Sequence, residues 1–465
     1  MKDINELPKE GDMNVPAVVY ASPKLFEHIK NDKTLLQVKN VAKLPGILSK
    51  SIALPDAHQG YGFSIGGVAA FDIDKGVISP GGIGYDINCS VRLLRTNLKL
   101  KEFEKKKEEV AEKLNKKIPS GVGHGSPFQL SPKKLDEVLR DGAKYLIREG
   151  YGKKEDYLHT EEEGRMPGAD PEKVSSRAKK RGIGQLGTIG SGNHFLDVLV
   201  VEELFDKKSA KVLGLEKGEI VILIHCGSRG LGHQVASDYI KLMEEEYGVK
   251  NFIDRDLVYA PIKSKLGKDY FSAMSAAANF AFANKQLLTH WVRESLNEIF
   301  PTVKVEVVYD ICHNIAKFEE YEIDGKKKKV CVHRKGATRS FGPGRREIPE
   351  DYREIGQPVL IPGSMGTASY VLLGTKKSEK LTFGSSVHGA GRVMSRSGAV
   401  KKFKGEKIKS NLLKDKIIIK SKADKSIAEE APAVYKDVDE VVNTVVRLGL
   451  NKKVAKLKPL IVIIG

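Results

Sequence analysis

The stretch SIALPDAHQGYGFSIGGVAAFDIDKGVISPGGIGYDINCSVRLLRT (51–96) contains short apolar runs that are bounded by glycine or proline. Apolar runs of about four to six residues between such breaks are typical of strands buried on both faces. We therefore predict short strands across residues 30–100. The Ala-rich segment SAMSAAANFAFANKQLLTHWVRESLNEIF (272–300) predicts a long, buried helix, because it is apolar on much of its helical surface. Together these segments predict an α+β protein.

The rest of the chain does not divide at an obvious linker. It has 465 residues, of which 40% are hydrophobic and 30% charged, so it can bury a sizeable core without disulfides. There is no Pro/Ser-rich linker and no repeat with a period of about 20–50 residues. We predict a single unit, residues 1–465, with central β-sheets, surrounding helices and a cleft at the strand ends.

Charge and cysteine content restrict the partner and the compartment. The net charge of +18 favours a polyanionic partner, such as nucleic acid, a nucleotide or an anionic membrane. Solubility, or the lysine and glutamate habit of thermophiles, is the alternative explanation. No apolar run approaches the roughly 18 residues of a membrane span, and the first residues lack a secretory signal. The four cysteines form no CxxC pair, so we expect reduced thiols and a cytoplasmic protein.

Five segments place polar residues at the ends of apolar strands. They are PGGIGYDINCSVR (80–92), GTIGSGNHFLDV (187–198), VILIHCGSRGLGH (221–233), VVYDICHN (307–314) and SSVHGAGR (385–392). Any one histidine at a strand end is more often a hydrogen-bonded structural residue than a ligand. A lone buried cysteine usually acts as a small hydrophobe.

The segments are more informative as a set than one by one. Asp86 and Cys89 are three residues apart, close enough for one turn to direct both at a single ion, and further segments add histidines. A mixture of thiolate, imidazole and carboxylate suits Zn²⁺, Mn²⁺ or Fe²⁺ better than Ca²⁺ or Mg²⁺. A thiolate can bridge two ions, and a pair about 3.5–4 Å apart suits phosphoryl chemistry. These residues indicate a metal-dependent enzyme that acts on the phosphates of a polyanion.

Longer motifs carry a family resemblance from about residue 15 to the C-terminus. They include PDAHQGYGFSIGGVAAFD, VISPGGIGYDINCSVRLLRTNL, GQLGTIGSGNHFLDV, HCGSRGLGHQ, DICHNIA, HRKGATRSFGPG, LIPGSMGTASYVL and SSVHGAGRVMSR. In this order they closely resemble the RtcB family of tRNA-splicing RNA ligases. The resemblance implies an enzyme that joins RNA ending in a 2′,3′-cyclic phosphate or 3′-phosphate to RNA with a 5′-hydroxyl. It also implies GTP and two Mn²⁺ ions as cofactors.

The resemblance assigns roles to individual residues. It implies that His388 is the nucleophile that accepts GMP from GTP. The implied Mn²⁺ ligands are Asp86, Cys89, His194, His225 and His313, with Cys89 shared between the two ions. The implied nucleotide contacts are Asn193, His194, Phe195, Leu196, Asp197, His313, Asn314, Pro362, Gly363, Ser364, Met365, Ser369, His388, Gly389, Ala390, Gly391 and Tyr435, with Ile464 at the position of a further contact. The arginines expected to hold phosphates are Arg229, Arg392 and Arg396.

Partners, departures and rival functions complete the prediction. The implied substrates are tRNA halves or broken RNA ends, and whether an archease-like activator is needed stays open. Asp197 stands where the family usually has glutamate, and Ile464 where a penultimate lysine is common, so we expect weaker guanine recognition. The rivals are a metal-dependent phosphoesterase acting on RNA ends and a non-catalytic RNA-binding scaffold. Only the ligase would keep label from α-labelled GTP on the protein.

Overall fold

The computed structural model describes residues 2–121 and 125–465. In chain order, the strands are β1 Ile4–Leu7, β2 Ala17–Tyr20, β3 Ile47–His58, β4 Ile65–Asp72, β5 Val77–Ile78, β6 Ser90–Lys99, β7 Phe195–Leu204, β8 Glu219–Cys226, β9 Ala260–Pro261, β10 Val305–Cys312, β11 Asn314–Ile323, β12 Lys326–Lys335, β13 Ala337–Arg339, β14 Pro358–Ile361, β15 Ser369–Gly374, β16 Ser385–Val387, β17 Ile418–Lys420 and β18 Asn451–Ile464.

The helices are distributed between and after these strands. They are α1 Pro23–Lys30, α2 Thr34–Val41, α3 Leu100–Phe103, α4 Lys107–Lys117, α5 Pro132–Asp141, α6 Ala143–Arg148, α7 Lys154–Leu158, α8 Ser176–Gly182, α9 Lys207–Val212, α10 Arg229–Tyr247, α11 Lys265–Ile299, α12 Lys376–Thr382, α13 Arg396–Lys402, α14 Gly405–Lys414, α15 Asp424–Glu429 and α16 Val438–Arg447. No helix that the structure describes is both long and apolar enough to cross a membrane.

Two sheets form the centre of the protein. The larger has the strand order β10-β6-β8-β7-β18-β15-β14, with β17 paired to β18, and the smaller has the order β1-β2-β3-β4-β12-β11. Apart from the parallel pairs β2–β3 and β17–β18, neighbouring strands in both sheets are antiparallel. The prediction of an α+β protein with central sheets and surrounding helices is therefore confirmed.

One hydrophobic core lies between the two sheets, and others lie beneath the helices. Alternate residues of a strand point to opposite faces, so each strand of the large sheet contributes to two cores. On β8, Val221 and Leu223 face the core between the sheets, whereas Ile222 faces α4 and α11. Continuous apolar strands are expected when both faces are covered. This explains the uninterrupted apolar run of β8.

Helix α11 is the long buried helix that the sequence predicts. It begins after the N-cap Ser264, whose side chain accepts a hydrogen bond from the Gly267 amide. It extends seven residues further towards the N-terminus than the Ala-rich segment. The prediction of strands across residues 30–100 is wrong at one place, because Thr34–Val41 forms helix α2. Val38 and Val41 of α2 are both buried, and their separation of three residues is a helical spacing. In the sequence this spacing lies within a short apolar run that resembles a strand.

Candidate metal and nucleotide site

The predicted site residues converge because the large sheet is antiparallel where they lie. In an antiparallel sheet the end of one strand lies beside the start of its neighbour. Cys312 at the end of β10 pairs with Ser90 at the start of β6, which pairs with the end of β8. Phe195, which begins β7, pairs with His225 on one side and with Ile464 of β18 on the other. Five strand ends that are far apart in sequence thus meet at one edge.

Two groups of three potential metal ligands lie at this edge and share one thiol. Asp86, Cys89 and His194 form one group, and Cys89, His225 and His313 form the other, with ligand atoms within 4.8 Å of one another in each. The Cys89 Sγ lies 3.4 Å from His194 Nε2 and 3.2 Å from His225 Nε2. His225 Nε2 and His313 Nε2 are 3.3 Å apart. The donor atoms of all five side chains therefore face a common centre.

Helix α11 holds the loops that carry these ligands. The Asn88 side chain donates to the Ala278 carbonyl of α11 at 2.8 Å, which fixes the turn between Asp86 and Cys89. The Asn284 side chain of α11 accepts from the amides of Gly187 and Thr188, at the start of the loop that leads to His194. Buried polar groups on a core helix are stable when they are hydrogen-bonded in this way. The long helix thus positions ligands that it does not itself contain.

The electrostatics of the cluster suit a metal with nitrogen and sulfur ligands. Burial holds the pKa of His225 and of His313 well below the usual imidazole range, so both rings are neutral near pH 7. Burial also raises the pKa of the Cys89 thiol to about 12, and the Asp86 carboxylate adds to the effect. For Asp86, burial acts to raise the pKa, but the adjacent His194 outweighs it and lowers the value to about 2. The neutral imidazoles of His225 and His313 and the ionised carboxylate of Asp86 are ready ligands, whereas the Cys89 thiol would lose its proton on metal binding. For His194, burial acts to lower the pKa, but the adjacent Asp86 outweighs it and holds the value well above the usual imidazole range, so this ring would also lose a proton.

His388 lies beside the cluster and is held by a carboxylate. It follows β16 directly, and its ring centroid is 5.1 Å from that of His313. Asp56 of β3 is fully buried, and its Oδ2 accepts from the His388 backbone amide at 2.9 Å and lies 2.6 Å from His388 Nδ1. A carboxylate at Nδ1 keeps the proton on that nitrogen. The Nε2 lone pair of His388 is therefore left for the cavity.

These groups line a cavity of about 670 Å³. Its volume is in the range expected of a small-molecule site, roughly 300–1,000 Å³. Among the residues predicted from the sequence, those that line it are Asp86, Cys89, Asn193, Phe195, Asp197, His225, His313, Asn314, Pro362, Gly363, Ser364, Met365, His388, Gly389, Ala390, Gly391, Arg392, Arg396, Tyr435 and Ile464. His194, Leu196, Ser369 and Arg229 are not among the described residues of the lining.

The predicted residues outside the lining have other contacts. His194 belongs to the ligand cluster, and its Nδ1 lies 3.0 Å from Nη1 of Arg229 and 3.2 Å from the Ile189 carbonyl. Leu196 points into the core beneath α4 and α11. The Ser369 hydroxyl accepts from the Gly363 amide at 3.0 Å, so it supports a glycine of the lining from behind. Ser369 is therefore one contact away from the cavity, whereas Arg229 contacts His194 of the ligand cluster and no residue of the described lining.

The part of the cavity around Asp197 is largely apolar. Asp197 pairs in register with Val462, and Ile464 lies two residues further along β18, so its side chain points to the same face. Met365, Val462 and Ile464 belong to one small hydrophobic cluster, and Phe195 packs against it. Burial raises the pKa of Asp197 well above the usual carboxyl range. Its Oδ1 has no hydrogen-bond partner among the described residues, so the carboxyl has a free polar atom beside the cavity.

Another part of the cavity wall is formed by Arg392, Glu430 and Tyr435, whose side chains contact one another. Nη1 of Arg392 lies 3.2 Å from Glu430 Oε1, and the Tyr435 hydroxyl donates to the same carboxylate. The guanidinium also donates to the Met394 and Glu429 carbonyls. Arg392, expected from the sequence to hold a phosphate, therefore already binds protein groups through all three of its guanidinium nitrogens. Arg396 is half exposed and lies 3.6 Å from Glu430.

Sequence reasoning assigned no role to two residues that the structure places at the site. The first is Asp56, and the sequence feature that could have indicated its role is its position inside the PDAHQG motif. The other is Lys335 of β12, which lines the cavity and whose ammonium donates to the carbonyls of Tyr61 and Gly81. Burial lowers the pKa of Lys335 to about 7. Neither residue lies near the ligands in sequence, so spacing gave no indication of them.

Such a cavity, with groups of potential metal ligands and a histidine held by a buried aspartate, is typical of the active site of an enzyme. Comparison with known proteins is more specific. The sequence model of one family, described as tRNA-splicing ligase RtcB, matches residues 37–465. The tRNA-splicing ligase RtcB of Thermococcus kodakarensis is 54% identical over 463 residues, covering 98% of this chain and 96% of that protein.

Other relatives extend the likeness across distant organisms. The tRNA-splicing ligase RtcB of Archaeoglobus fulgidus is 51% identical over 464 residues, which are 98% of this chain and 96% of the relative. RNA-splicing ligase RtcB homolog 1 of Entamoeba dispar is 47% identical over 470 aligned residues, covering 97% and 88% of the two chains. The chain therefore belongs to the RtcB family of RNA ligases.

Proposed function

We propose that the protein joins RNA ending in a 2′,3′-cyclic phosphate or 3′-phosphate to RNA with a 5′-hydroxyl, using GTP and Mn²⁺. The observation that carries this proposal is the position of His388, which lines the same cavity as members of both ligand groups. The relatives named tRNA-splicing ligases make tRNA halves the first substrates to test, and broken RNA ends the second.

The first step that we propose is formation of a guanylated histidine. Nε2 of His388 attacks the α-phosphorus of GTP, an N–P bond forms, the bond to the bridging oxygen of the β-phosphate breaks, and pyrophosphate leaves. Neutral imidazole is a good nucleophile near pH 7. Asp56 stabilises the ring as positive charge develops on it, because its carboxylate lies at Nδ1. It also orients the ring, because the same carboxylate accepts from the His388 amide.

The next two steps use the bound guanylate. An oxygen of the RNA 3′-phosphate attacks the guanylate phosphorus, the N–P bond breaks, and His388 regains its free Nε2. The RNA then ends in a phosphoanhydride to GMP. The 5′-hydroxyl of the second RNA attacks the 3′-phosphorus, a phosphodiester forms, and GMP leaves. A stable phosphate is thereby converted into one with a good leaving group, and catalysis depends mainly on positioning and charge stabilisation.

The ligand cluster fits two Mn²⁺ ions by the chemistry of its donors. Asp86, Cys89 and His194 would hold one ion, and Cys89, His225 and His313 the other. Bound Mn²⁺ supplies stabilisation of negative charge on phosphate oxygens. The buried Cys89 must be a reduced thiol for this role, which agrees with the cytoplasmic location expected from the sequence.

The decisive experiment is incubation with α-labelled GTP and Mn²⁺. We expect covalent label on the wild-type protein and none on His388→Ala, with metal content unchanged in that variant. His28→Ala is the matched control, because His28 is an exposed histidine on α1. A protein that never takes label but opens cyclic phosphates would be the phosphoesterase. One that does neither, yet binds RNA, would be the scaffold.

A further inference from the structure

An exposed aromatic ring stands at the cavity, away from the residues implied in nucleotide binding. Tyr61 lines the cavity, yet 65% of its surface is exposed. Its hydroxyl has no hydrogen-bond partner among the described residues. A tyrosine has an apolar ring and a polar tip, and such side chains are enriched at contact surfaces. Exposure together with a place in the cavity lining makes this ring a candidate contact surface for a ligand.

The loop that carries Tyr61 is fixed although its ring is exposed. Gln37 of α2 bonds both backbone groups of Gly60, donating to its carbonyl at 2.7 Å and accepting from its amide at 3.1 Å. At Gly62, where φ is +70°, a Cβ would lie only 2.2 Å from the Asp256 carbonyl oxygen. The ammonium of Lys335 donates to the carbonyl of Tyr61 itself. A ring on a fixed loop loses little entropy when a ligand covers it.

Further rings continue the surface towards the metal ligands. Tyr85, which precedes Asp86, meets Tyr61 edge to face with ring centroids 6.3 Å apart. Tyr85 also stacks on His233 of α10, with ring centroids 4.8 Å apart and an angle of 25° between the ring planes. We name Tyr61, Tyr85 and His233 the aromatic step. Successive aromatic surfaces of this kind are typical of proteins that bind unpaired bases.

The contacts of the step connect it to His388. Lys335 holds the Tyr61 loop, and the next residue, Gly336, approaches His388 so closely that a Cβ there would lie 3.2 Å from its Cε1. The RNA group that must reach His388 in the proposed function is the 3′-phosphate.

We propose that the aromatic step binds the unpaired base of the RNA nucleotide that bears the 3′-phosphate. This inference rests on the proposed function, since it takes the same RNA end as its ligand. Stacking on Tyr61 needs no particular base, because every base has a flat face. The step would therefore strengthen the binding of many RNA ends without selecting a sequence.

Equilibrium binding of a fluorescent RNA oligonucleotide with a 3′-phosphate tests the proposal, with Mn²⁺ present and GTP absent. We expect Tyr61→Ala to raise the Kd roughly tenfold, as removal of one base–aromatic stack does. Tyr61→Phe keeps the ring and should restore wild-type binding. Phe205→Ala removes another exposed aromatic residue, at the end of β7 and outside the cavity lining as described, and serves as the matched control. Equal affinities of wild type and Tyr61→Ala would overturn the proposal.

A modified RNA identifies the base concerned. When the nucleotide that bears the 3′-phosphate is abasic, wild type and Tyr61→Ala should bind the RNA with equal affinity. When instead the abasic nucleotide is at the 5′ end of the RNA that bears the 5′-hydroxyl, the difference in affinity between the two proteins should remain. The reverse pattern would assign the step to the 5′-hydroxyl end and overturn the proposal. A matching loss of GTP labelling in Tyr61→Ala would overturn it too, since the step would then serve the nucleotide. If the wild-type protein took no label from GTP, the proposed ligase function would be refuted instead. The comparison of RNA binding between wild type and Tyr61→Ala would remain valid in that case.

Discussion

The two ends of the cavity differ in how completely their polar groups are matched. At the metal end, Cys89, His225 and His313 face one another, and each potential ligand has others within 4.8 Å. At the other end, Asp197 is buried among apolar side chains with a free carboxyl oxygen and a raised pKa. The metal end therefore has its potential ligands arranged around a common centre, whereas at the other end, which we call the Asp197 end, no cation of the described residues balances the carboxyl.

The largest expected effect is at the shared thiol of the metal end. We expect Cys89→Ala to lose both Mn²⁺ ions and all ligation, because the thiolate belongs to both ligand groups. His225→Ala removes a ligand from only one group, so it should mainly weaken one ion. Elemental analysis of the purified variants after incubation with Mn²⁺ gives the number of ions per chain.

Cys331→Ala is the matched control for the thiol. Cys331 is also a free and buried cysteine, but it belongs to neither ligand group. It should retain the metal content of the wild type. If Cys89→Ala and His225→Ala lost the same amount of metal, the thiolate would not be shared between two ions.

A smaller loss is expected when the partner of the nucleophile is changed. Asp56→Asn keeps the size of the side chain but removes the charge that holds the proton on Nδ1 of His388. Losing an aligned partner of this kind typically costs about a hundredfold or more in rate. We expect single-turnover guanylylation to slow by about that factor, while the number of bound Mn²⁺ ions stays unchanged. A variant that takes label at the wild-type rate would show that Asp56 neither orients nor stabilises His388.

The difference between the two ends also explains what the sequence could predict. The potential metal ligands lie in short motifs, and Asp86 and Cys89 are three residues apart, so residue type and spacing indicated a group of ligands that the structure brings together. Helix α11 was predictable because its Ala-rich segment is long and apolar on much of its helical surface. The pairing of Asp56 with His388 joins positions 332 residues apart, and only the folded chain brings them together.

The sequence also could not predict contacts for which several partners compete. Arg392 lies in a motif where an arginine suggests phosphate binding, but Glu430 and two carbonyls occupy its guanidinium. Likewise Tyr61 is one aromatic residue among 31 phenylalanines and tyrosines, and its exposure follows from the way Gln37 and Lys335 fix its loop. Local sequence indicates which chemistry is available, and tertiary packing decides which groups remain free to use it.

The smallest expected effect concerns the Asp197 end of the cavity and follows from the register of β18. Asp197 lies opposite Val462, so residue 464 is its diagonal neighbour on the same face of the sheet. A lysine at 464 would be long enough to bring its ammonium to the carboxyl or to a bound base. It would also lower the pKa of Asp197, because a nearby cation favours the ionised carboxylate over the neutral form that burial now favours.

We therefore expect Ile464→Lys, alone and with Asp197→Glu, to improve the recognition of guanine. One added hydrogen bond to a buried base is worth about 1–3 kcal/mol, so the GTP concentration for half-maximal labelling should fall roughly tenfold. Labelling with ATP should not gain, because adenine has an amino group at the position where guanine has an oxygen that can accept a hydrogen bond from lysine. Ile464→Met, with an unbranched side chain and no charge, is the control for altered packing. If neither lysine variant exceeded Ile464→Met in GTP affinity or in preference for GTP over ATP, the apolar end of β18 would be a packing element, and guanine would be recognised elsewhere in the cavity.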